Sequence, residues 1–433
     1  MHEDVEGFTR RARAWLAKNI PPQTEDGTLL RVRTDDEELE RIGRCRELQR
    51  VLYDGSLAGI CVPREYGGQG LTPAHQDALN HEIVGYDYPA ELQMPTFTPC
   101  MAVLLEFGTD EQKKRYIPAM LKGEALWMQF LSEPSGGSDV AAVLTTAIRD
   151  GEEWVLNGSK IWTTGAWWSD MALCLARTDW NVPKHRGLTV FVVPIHHPNI
   201  EIQRIEMLNG SKEFCQEFLT DLRVPDVDRI GEIDQGWTVG TRWMYHERTV
   251  AGGSPYVTFP DGRRPVRELA GGAKALIHLA KEAEGFQRTH TRQLIGEAHA
   301  HSLVGSALIE RISRQIRAGV ASGEAAAILR LYAGTTVARN STIAFEVAGA
   351  GAIAWSNDDG DAGQVGMGYL MRQASSIGGG TTEMSRNVIS ERVLGMPREH
   401  DPSRSLAFRD VARNSRRPYD RGSQMDPLGE LKR

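Results

Sequence analysis

The sequence predicts an α+β fold with an N-terminal helical domain, a middle β-sandwich or β-barrel domain and a C-terminal four-helix bundle. Three observations support it. Helical spacing of apolar residues fills residues 1–125, short β-rich runs separated by turns fill 126–235, and long patterns rich in Ala, Leu, Arg and Glu fill 236–398. A charged tail, residues 399–433, follows these three parts.

The composition bounds the class of protein before any motif is considered. With 41% hydrophobic and 25% charged residues, the 433-residue chain has an ordinary globular balance, and its formal net charge of −7 argues against a nucleic-acid partner. No apolar run approaches the ~18 residues of a membrane span, and the acidic start is unlike a secretory signal. Five scattered cysteines form no metal or disulfide pattern. We therefore expect a cytoplasmic enzyme without a metal.

The N-terminal domain shows apolar residues every three or four positions. They run from Val5 to Ile20 and stop at Pro21, and similar patterns cover 42–52, 75–84 and 102–107. This spacing predicts helices, and the glycine-rich residues 62–70 predict a loop between two of them.

The middle domain changes to β-type runs. Asn157-Gly158 lies between two β-rich segments, which predicts a hairpin, and short strands are predicted at 171–175, 187–194, 200–205 and 213–225. Strands separated by turns, rather than by helices, indicate a sandwich or barrel.

The C-terminal part returns to helical patterns. The following segments are predicted to be helical: 237–250, 273–288, 293–318, 322–348 and 382–394. Residues 252–272, which hold three prolines and five glycines, are predicted to be an inserted loop, and the charged tail is expected to be mobile.

Four short segments carry the most specific signal. They are Val-Pro-Arg-Glu-Tyr-Gly-Gly-Gln-Gly at 62–70, Phe-Leu-Ser-Glu-Pro-Ser-Gly-Gly-Ser-Asp-Val at 130–140, Gly-Ser-Lys-Ile-Trp-Thr-Thr-Gly-Ala at 158–166, and Gly-Gly-Gly-Thr-Thr-Glu at 378–383. In this order and spacing, over about residues 1–398, the chain resembles the FAD-dependent acyl-CoA dehydrogenase family. The resemblance implies α,β-dehydrogenation of an acyl-CoA thioester, in which a carboxylate takes the α-proton and the β-hydrogen leaves as hydride to the flavin. It also implies an electron-transferring flavoprotein as the acceptor.

The resemblance also implies which residues form the site. The residues expected to contact FAD are Phe130, Leu131, Ser132, Gly137, Ser138, Trp162, Thr163, Thr164, Thr381 and Glu383. The residues expected to contact the acyl-CoA are Ser138, Arg248, Gly379 and Gly380. Some of these positions have a plainer alternative, since Trp162 also suits a β core, Ser138 a turn, and Thr381 or Thr382 a helix N-cap.

The catalytic base departs from the family pattern. Many members carry a Glu two positions before the Thr of the glycine-rich loop, where this chain has Gly379, which has no side chain to take a proton. Glu247 immediately precedes an Arg, as the base does in isovaleryl-type members, and it shares a helical face with Trp243. We predict that Glu247 is the base. The alternative is a surface glutamate paired with Arg242, His246 or Arg248.

A second departure concerns the arm that completes a neighbouring subunit's FAD site. The family usually has Arg-x-x-Phe-Gly and Gln-x-x-Gly-Gly, where this chain has Ile295 before Gly296, and Phe345-Glu346. Phe345 lacks an amide, and Glu346 adds negative charge near a pyrophosphate. We therefore predict a tetramer in which a sister chain donates the arm, that is, a heterotetramer.

The substrate and two competing functions follow from the same residues. The missing side chain at Gly379 favours a bulky, branched or sterol-side-chain acyl group over a straight fatty chain. One alternative is a non-catalytic subunit of a heteromeric acyl-CoA dehydrogenase. Another is an acyl-CoA oxidase or monooxygenase on the same fold.

Overall fold

The computed structural model describes residues 3–23, 33–249, 254–258, 273–354 and 360–411. Its helical N-terminal part, β-sheet middle part and helical C-terminal part confirm the predicted fold class. The helices of the N-terminal part are α1 Val5–Asn19, α2 Asp35–Asp54, α3 Pro73–Glu82, α4 Ala90–Pro95, α5 Ala102–Phe107 and α6 Asp110–Leu121.

Side-chain caps fix where several of these helices begin. Asp4 accepts a hydrogen bond from the Gly7 amide at the start of α1, and Thr34 and Thr109 form capping boxes at the starts of α2 and α6. The periodic residues Phe8 and Leu16 are fully buried, so the spacing predicted the core face of α1 correctly.

The middle part is a single eight-stranded sheet. Its strands are β1 Trp127–Phe130, β2 Thr146–Asp150, β3 Glu153–Thr164, β4 Met171–Arg177, β5 Leu188–Pro194, β6 Ile200–Ile205, β7 Phe214–Pro225 and β8 Arg229–Ile230. Their order is β6-β7-β3-β2-β4-β5-β8, and β1 pairs in parallel with β4. The long strand β3 therefore lies between β7 and β2.

The hairpin predicted at Asn157-Gly158 is wrong, because both residues lie within β3 and the turn falls earlier, around Gly151. The pair marks an irregularity in the β3–β7 register instead. A side chain at Gly158 would meet Thr145 Oγ1 at 2.4 Å, while the Asn157 amide bonds to Asp221. Here the Asn-Gly pair allows two chain segments to approach closely inside a strand. The periodicity and composition of the sequence do not distinguish such a position from a turn.

The C-terminal part contains six helices in the described residues. They are α7 Gly236–Thr249, α8 Ala273–Glu282, α9 Thr289–Arg317, α10 Ala326–Ala348, α11 Gly360–Met371 and α12 Thr382–Val388. One predicted helix ends early, since α8 stops at Glu282. The last predicted helix changes character rather than length, since α12 continues as a π-helical turn over Ile389–Val393. Of the predicted insertion at 252–272, only 254–258 is described, and the remainder lies outside the described residues.

The start of the tail differs from the expectation of mobility. Phe408 is 1% exposed, its ring stacks on Trp180 at 5.5 Å, and the Arg177 guanidinium lies 3.7 Å from its centroid. One aromatic residue in a charged segment thus docks the chain on the middle domain. The rest of the tail, 412–433, lies outside the described residues.

Two other features are absent from the described residues. None of their helices is both long enough and apolar enough to cross a membrane. Nor do they bring three potential metal ligands together.

Candidate functional site

Trp162 forms an exposed aromatic surface on the middle domain. It sits at a register shift between Ile161 and Thr163 in the β3–β7 pairing, with a left-handed φ of 66°. Its side chain is 53% exposed, and its ring meets the edge of Phe214 at 5.8 Å. A left-handed conformation costs an aromatic residue roughly 1–2 kcal/mol, and such strain is concentrated at functional sites. This exposure disagrees with the alternative of a core aromatic.

The two residues after Trp162 point in opposite directions, as neighbours in a strand do. Thr164 is exposed, as Trp162 is. Thr163 is 3% exposed, and its Oγ1 lies 3.0 Å from Glu217 Oε2 and 3.3 Å from the Gln129 carbonyl oxygen. Only the backbone of Thr163 is therefore available to a ligand.

The segment after β1 lies beside the Trp162 bulge. The Ile161 amide donates to the Ser132 carbonyl oxygen at 3.0 Å, which joins this segment to β3. Gly137 and Ser138 are exposed, and a Cβ built at Gly137 would lie 3.9 Å from Ser132 Oγ. The structure thus brings two sequence motifs together. Leu131 and Ser132 are half-buried, whereas Phe130 is fully buried beneath them.

A buried ion pair anchors this arrangement from below. Lys160 Nζ lies 2.9 Å from Glu133 Oε1, and both side chains are almost completely buried. Although burial opposes it, Lys160 helps to hold the pKa of Glu133 below its usual range, as do hydrogen bonds from Thr145 and the Leu144 amide. The motif residues are therefore fixed on a rigid part of the sheet.

The glycine loop before α12 is held against α10. Arg330 donates to the carbonyl oxygens of Ser375 at 2.7 Å and Gly378 at 2.5 Å. Gly334 permits the close approach, because a Cβ there would lie 2.9 Å from Thr382 Cγ2. Gly379 and Gly380 follow with left-handed φ values of 72° and 100°, and both are exposed.

The residues after the glycines carry out cap and surface roles. Thr381 is the N-cap of α12, where its Oγ1 accepts from the Met384 amide at 3.0 Å, as its plainer alternative required. Glu383 is exposed and lies 3.6 Å from Arg386, so its carboxylate points to the surface.

Glu247 faces the glycine loop from α7. A Cβ built at Gly379 would lie 3.9 Å from Glu247 Oε1 and 3.8 Å from Arg330 Nε. Burial raises the pKa of the Glu247 carboxyl, while Arg248 and Arg330 partly oppose this. A carboxylate on the helix and one on the loop would therefore occupy neighbouring space.

The contacts around Glu247 do not support the alternative that it is a surface glutamate paired with a nearby Arg or His. Arg242 and His246 both bind Glu106, at 2.6 Å and 2.9 Å, and Arg248 is exposed. Trp243, one turn before Glu247, is fully buried and donates from Nε1 to Gln129 Oε1 at 2.6 Å. This contact ties α7 to β1 and orients the helix face that carries Glu247. Val250, which its i+3 spacing from Glu247 places on the same predicted helical face, lies outside the described residues.

Sequence reasoning missed three polar residues at this site, Arg330, Gln129 and Glu217. Arg330 interrupts an Ala- and Leu-rich helix, Gln129 interrupts an apolar strand, and Glu217 lies where alternation predicts an inward position. A lone polar residue at a predicted core position was the available signal in each case.

Sequence profiles of one family match nearly the whole chain. Acyl-CoA dehydrogenase, N-terminal domain, matches residues 2–124, the middle domain matches 129–221, and the C-terminal domain matches 234–394. Among curated proteins, the chain is similar to acyl-CoA dehydrogenase IpdE1 of Mycobacterium tuberculosis, with 30% identity over 92% of this chain and 99% of the relative. IpdE1 of Mycolicibacterium smegmatis is 31% identical, with the same coverage of each chain.

Solved structures give the same fold. The Tcur3481-Tcur3483 steroid ACAD has a TM-score of 0.69 and 25% identity, covering 91% of this chain and 98% of that one. The ChsE4-ChsE5 complex from Mycobacterium tuberculosis has a TM-score of 0.68 and 24% identity, with the same coverage. The second likeness is evidence for the fold alone.

Proposed function

Since this chain belongs to the acyl-CoA dehydrogenase family, whose members are FAD-dependent oxidoreductases acting on CH–CH bonds, we propose that the enzyme oxidises a bulky acyl-CoA. We propose Glu247 as its catalytic base. The Glu247 carboxylate takes the α-proton of the thioester while the β-hydrogen leaves as hydride. Bound FAD supplies the acceptor for that hydride. The expected electron acceptor is an electron-transferring flavoprotein.

The residues on the middle domain fit a flat flavin ring. Trp162 offers an exposed aromatic face, and Thr164 places a hydroxyl beside it. Ser132 and Leu131 lie alongside, on the segment after β1. Gly137 has no side chain that would hinder the approach of a ligand to this segment. We assign ring contacts to these residues and to the Thr163 backbone. Phe130 supports them from the core, whereas Glu383 lies at the surface.

The observation that carries the assignment of the base is the position of Glu247 beside Gly379. Its Oε1 lies 3.9 Å from the point where a side chain on the glycine loop would begin. A raised pKa suits a base that attacks a weakly acidic C–H, and the nearby Arg330 and Arg248 still favour the ionised form. The amides of Gly379 and Gly380 remain available to donate to the thioester carbonyl, because that contact needs only backbone.

A bulky acyl group is the substrate class that we propose, of branched or sterol-side-chain type. Three consecutive glycines leave the loop before α12 without side chains, and Gly380 has open space around its Cβ position. The relative at 25% identity is named a steroid ACAD, which agrees with this class. Ser138, exposed beside Gly137, is assigned to the CoA arm, and the exposed Arg248 to the substrate side of α7.

The test of the base is Glu247→Gln in the purified flavoprotein. We expect FAD to remain bound and the bleaching of its absorbance by an acyl-CoA panel to slow by about 10²–10⁴-fold. Glu310→Gln is the matched control, because Glu310 is an exposed glutamate of α9 that pairs only weakly with Arg314, at 3.7 Å. Unchanged bleaching in Glu247→Gln would place the base elsewhere.

The same preparation separates the competing functions. A chain that binds no flavin in its native assembly would be a non-catalytic subunit. Rapid oxygen consumption without an added acceptor would identify an oxidase or monooxygenase. Reduction of an electron-transferring flavoprotein is the outcome that we expect.

We also propose that a sister chain donates the FAD-binding arm. Phe345 stacks on Tyr369 at 4.1 Å, and Glu346 is exposed, 3.5 Å from Arg339 and 3.7 Å from His290. The first residue offers no amide, and the second adds a carboxylate to a surface meant for a pyrophosphate. The C-terminal part also exposes apolar side chains suited to an assembly interface: Leu303, Val320, Ile353, Ile377, Leu394 and Met396.

The assembly is tested by purifying the chain alone and together with chains encoded beside it. We expect the chain alone to hold fewer than one FAD per subunit, and a heterotetramer to form with a sister chain. A homotetramer with one tightly held FAD per subunit would contradict the proposal.

A further inference from the structure

A buried carboxyl lies directly behind the Trp162 bulge. Glu217 of β7 is 0% exposed and stands opposite Lys160 in the β3–β7 register. Its Oε2 contacts Thr163 Oγ1 at 3.0 Å, and among the described residues its Oε1 has no hydrogen-bond partner. Burial raises the pKa of Glu217 to about 7, although Thr163 and Lys160 oppose the shift.

The charged and titratable groups around Glu217 leave it without a dedicated counterion. Lys160 is the cation that faces it, but Lys160 Nζ is already bound to Glu133 at 2.9 Å and to the Leu175 carbonyl oxygen at 2.6 Å. Cys174 and Cys215 also face this space, and burial raises the pKa of both thiols to about 11, so neither adds charge. The proton on Glu217 is therefore the element of this cluster that changes near neutral pH.

Thr163 has one hydroxyl proton and two acceptors within reach. These are Glu217 Oε2 at 3.0 Å and the Gln129 carbonyl oxygen at 3.3 Å. When Glu217 carries a proton, it donates to Thr163, and Thr163 donates to Gln129. When Glu217 is ionised, the Thr163 hydroxyl turns to it, and the Gln129 carbonyl oxygen loses that donor.

Gln129 extends this contact to the helix that carries the base. Its side-chain Oε1 accepts from Trp243 Nε1 at 2.6 Å, and Trp243 lies one turn before Glu247 on α7. One short chain of contacts therefore runs from Glu217 through Thr163 and Gln129 to α7. Thr163, which belongs to this chain of contacts, directly follows Trp162 in β3.

We propose that Glu217 is a positioning residue that holds Thr163, and through it both the Trp162 bulge and the Gln129–Trp243 contact, in the geometry that the site requires. This inference rests on the proposed placement of the flavin ring at Trp162. Glu217 touches neither flavin nor substrate. It acts through the Thr163 hydroxyl.

The first test is a pH titration of the flavin absorbance in the holoenzyme between pH 5.5 and 8.5. The unmodified enzyme should show a transition near pH 7, as the proton leaves Glu217. Glu217→Gln, which keeps a donor to Thr163 but cannot ionise, should bind FAD normally and lack the transition. Thr163→Val should also lack it, because the link to the bulge is gone.

The matched control is Glu201→Gln on β6, where the carboxylate is exposed and bonds to Gln203 at 2.7 Å. This variant should keep the transition. A transition near pH 7 that persists in Glu217→Gln would overturn the proposal, as would one that persists in Thr163→Val.

A second readout needs no flavin and follows the thermal midpoint of the purified chain. Unfolded glutamate ionises near pH 4.5, whereas folded Glu217 keeps its proton to about pH 7, so stability falls as pH rises across that window and then levels off. Glu217→Gln should unfold at a higher temperature than the unmodified chain at pH 8, and the difference should shrink at pH 5. If this difference is present while the flavin transition is unaffected by the variant, the positioning role is wrong and the proposed dehydrogenase function stands. Absence of bound flavin from the unmodified protein in its native assembly would instead contradict the proposed function.

Discussion

The two walls of the candidate site are built in different ways. The middle-domain wall rests on a sheet whose interior holds the Lys160–Glu133 pair, so the residues around Trp162 are fixed by buried hydrogen bonds. The bundle wall is a glycine loop that Arg330 holds by two carbonyl oxygens, with Glu247 facing it. From this contrast we expect the middle-domain side to tolerate little change. On the bundle side, a carboxylate on the helix and one on the loop would reach the same space.

Moving the carboxylate between helix and loop gives the largest expected effect and sharpens this contrast. Glu247→Ala should lower the rate of flavin bleaching by about 10²–10⁴-fold. Adding Gly379→Glu should recover part of it, because that side chain begins 3.9 Å from the former position of Glu247 Oε1. The left-handed φ of 72° costs the new residue about 1 kcal/mol, so recovery should be incomplete. Stopped-flow absorbance measures both variants, and no recovery at all would mean that the two positions are not interchangeable.

Breaking the middle-domain wall should instead affect folding. Lys160→Met leaves Glu133 buried without its cation, which should reduce the free energy of unfolding by about 3–5 kcal/mol. Lys184→Met is the control, because its partner Asp139 is exposed and such a pair contributes under about 1 kcal/mol. Chemical denaturation compares the two, and equal losses would contradict the rigid-wall interpretation.

Loosening the bundle wall should have a smaller effect, and on turnover rather than on folding. Arg330→Met removes the two hydrogen bonds to the Ser375 and Gly378 carbonyl oxygens. We expect kcat/KM to fall by about 10-fold, which corresponds to about 1.4 kcal/mol of lost positioning, with FAD content unchanged. Arg314→Met, which removes an exposed arginine of α9, should leave kcat/KM as it was. A large loss of stability in Arg330→Met would show that the loop is part of the core.

The sequence predicted the fold because its apolar spacing is regular where elements are long. Phe8 and Leu16 follow the helical period, and both are buried in α1. It failed at Asn157-Gly158, where the same dipeptide serves a turn in one context and a tight crossing in another. A glycine is necessary at position 158 because Thr145 lies against it. The local sequence pattern carries no information about where Thr145 lies.

The proximity of Glu247 to the glycine loop was predictable for a related reason. A glycine at position 379 leaves the loop without a carboxylate, which favours Glu247 as the base, and the structure places the two side by side. Arg330 and Glu217 were not found, because their importance comes from contacts with loops and strands far away in the sequence. Only folding brings such residues together, and no period or motif records it.

The docking of Phe408 has a practical consequence for how the chain is shortened. The family match ends at residue 394, which makes it a tempting place to truncate. A protein cut there would lose Phe408 and uncover the aromatic face of Trp180 and the stacked guanidinium of Arg177. The aromatic patch exposed in this way would favour self-association. A shortened version for crystallisation should therefore extend through Val411.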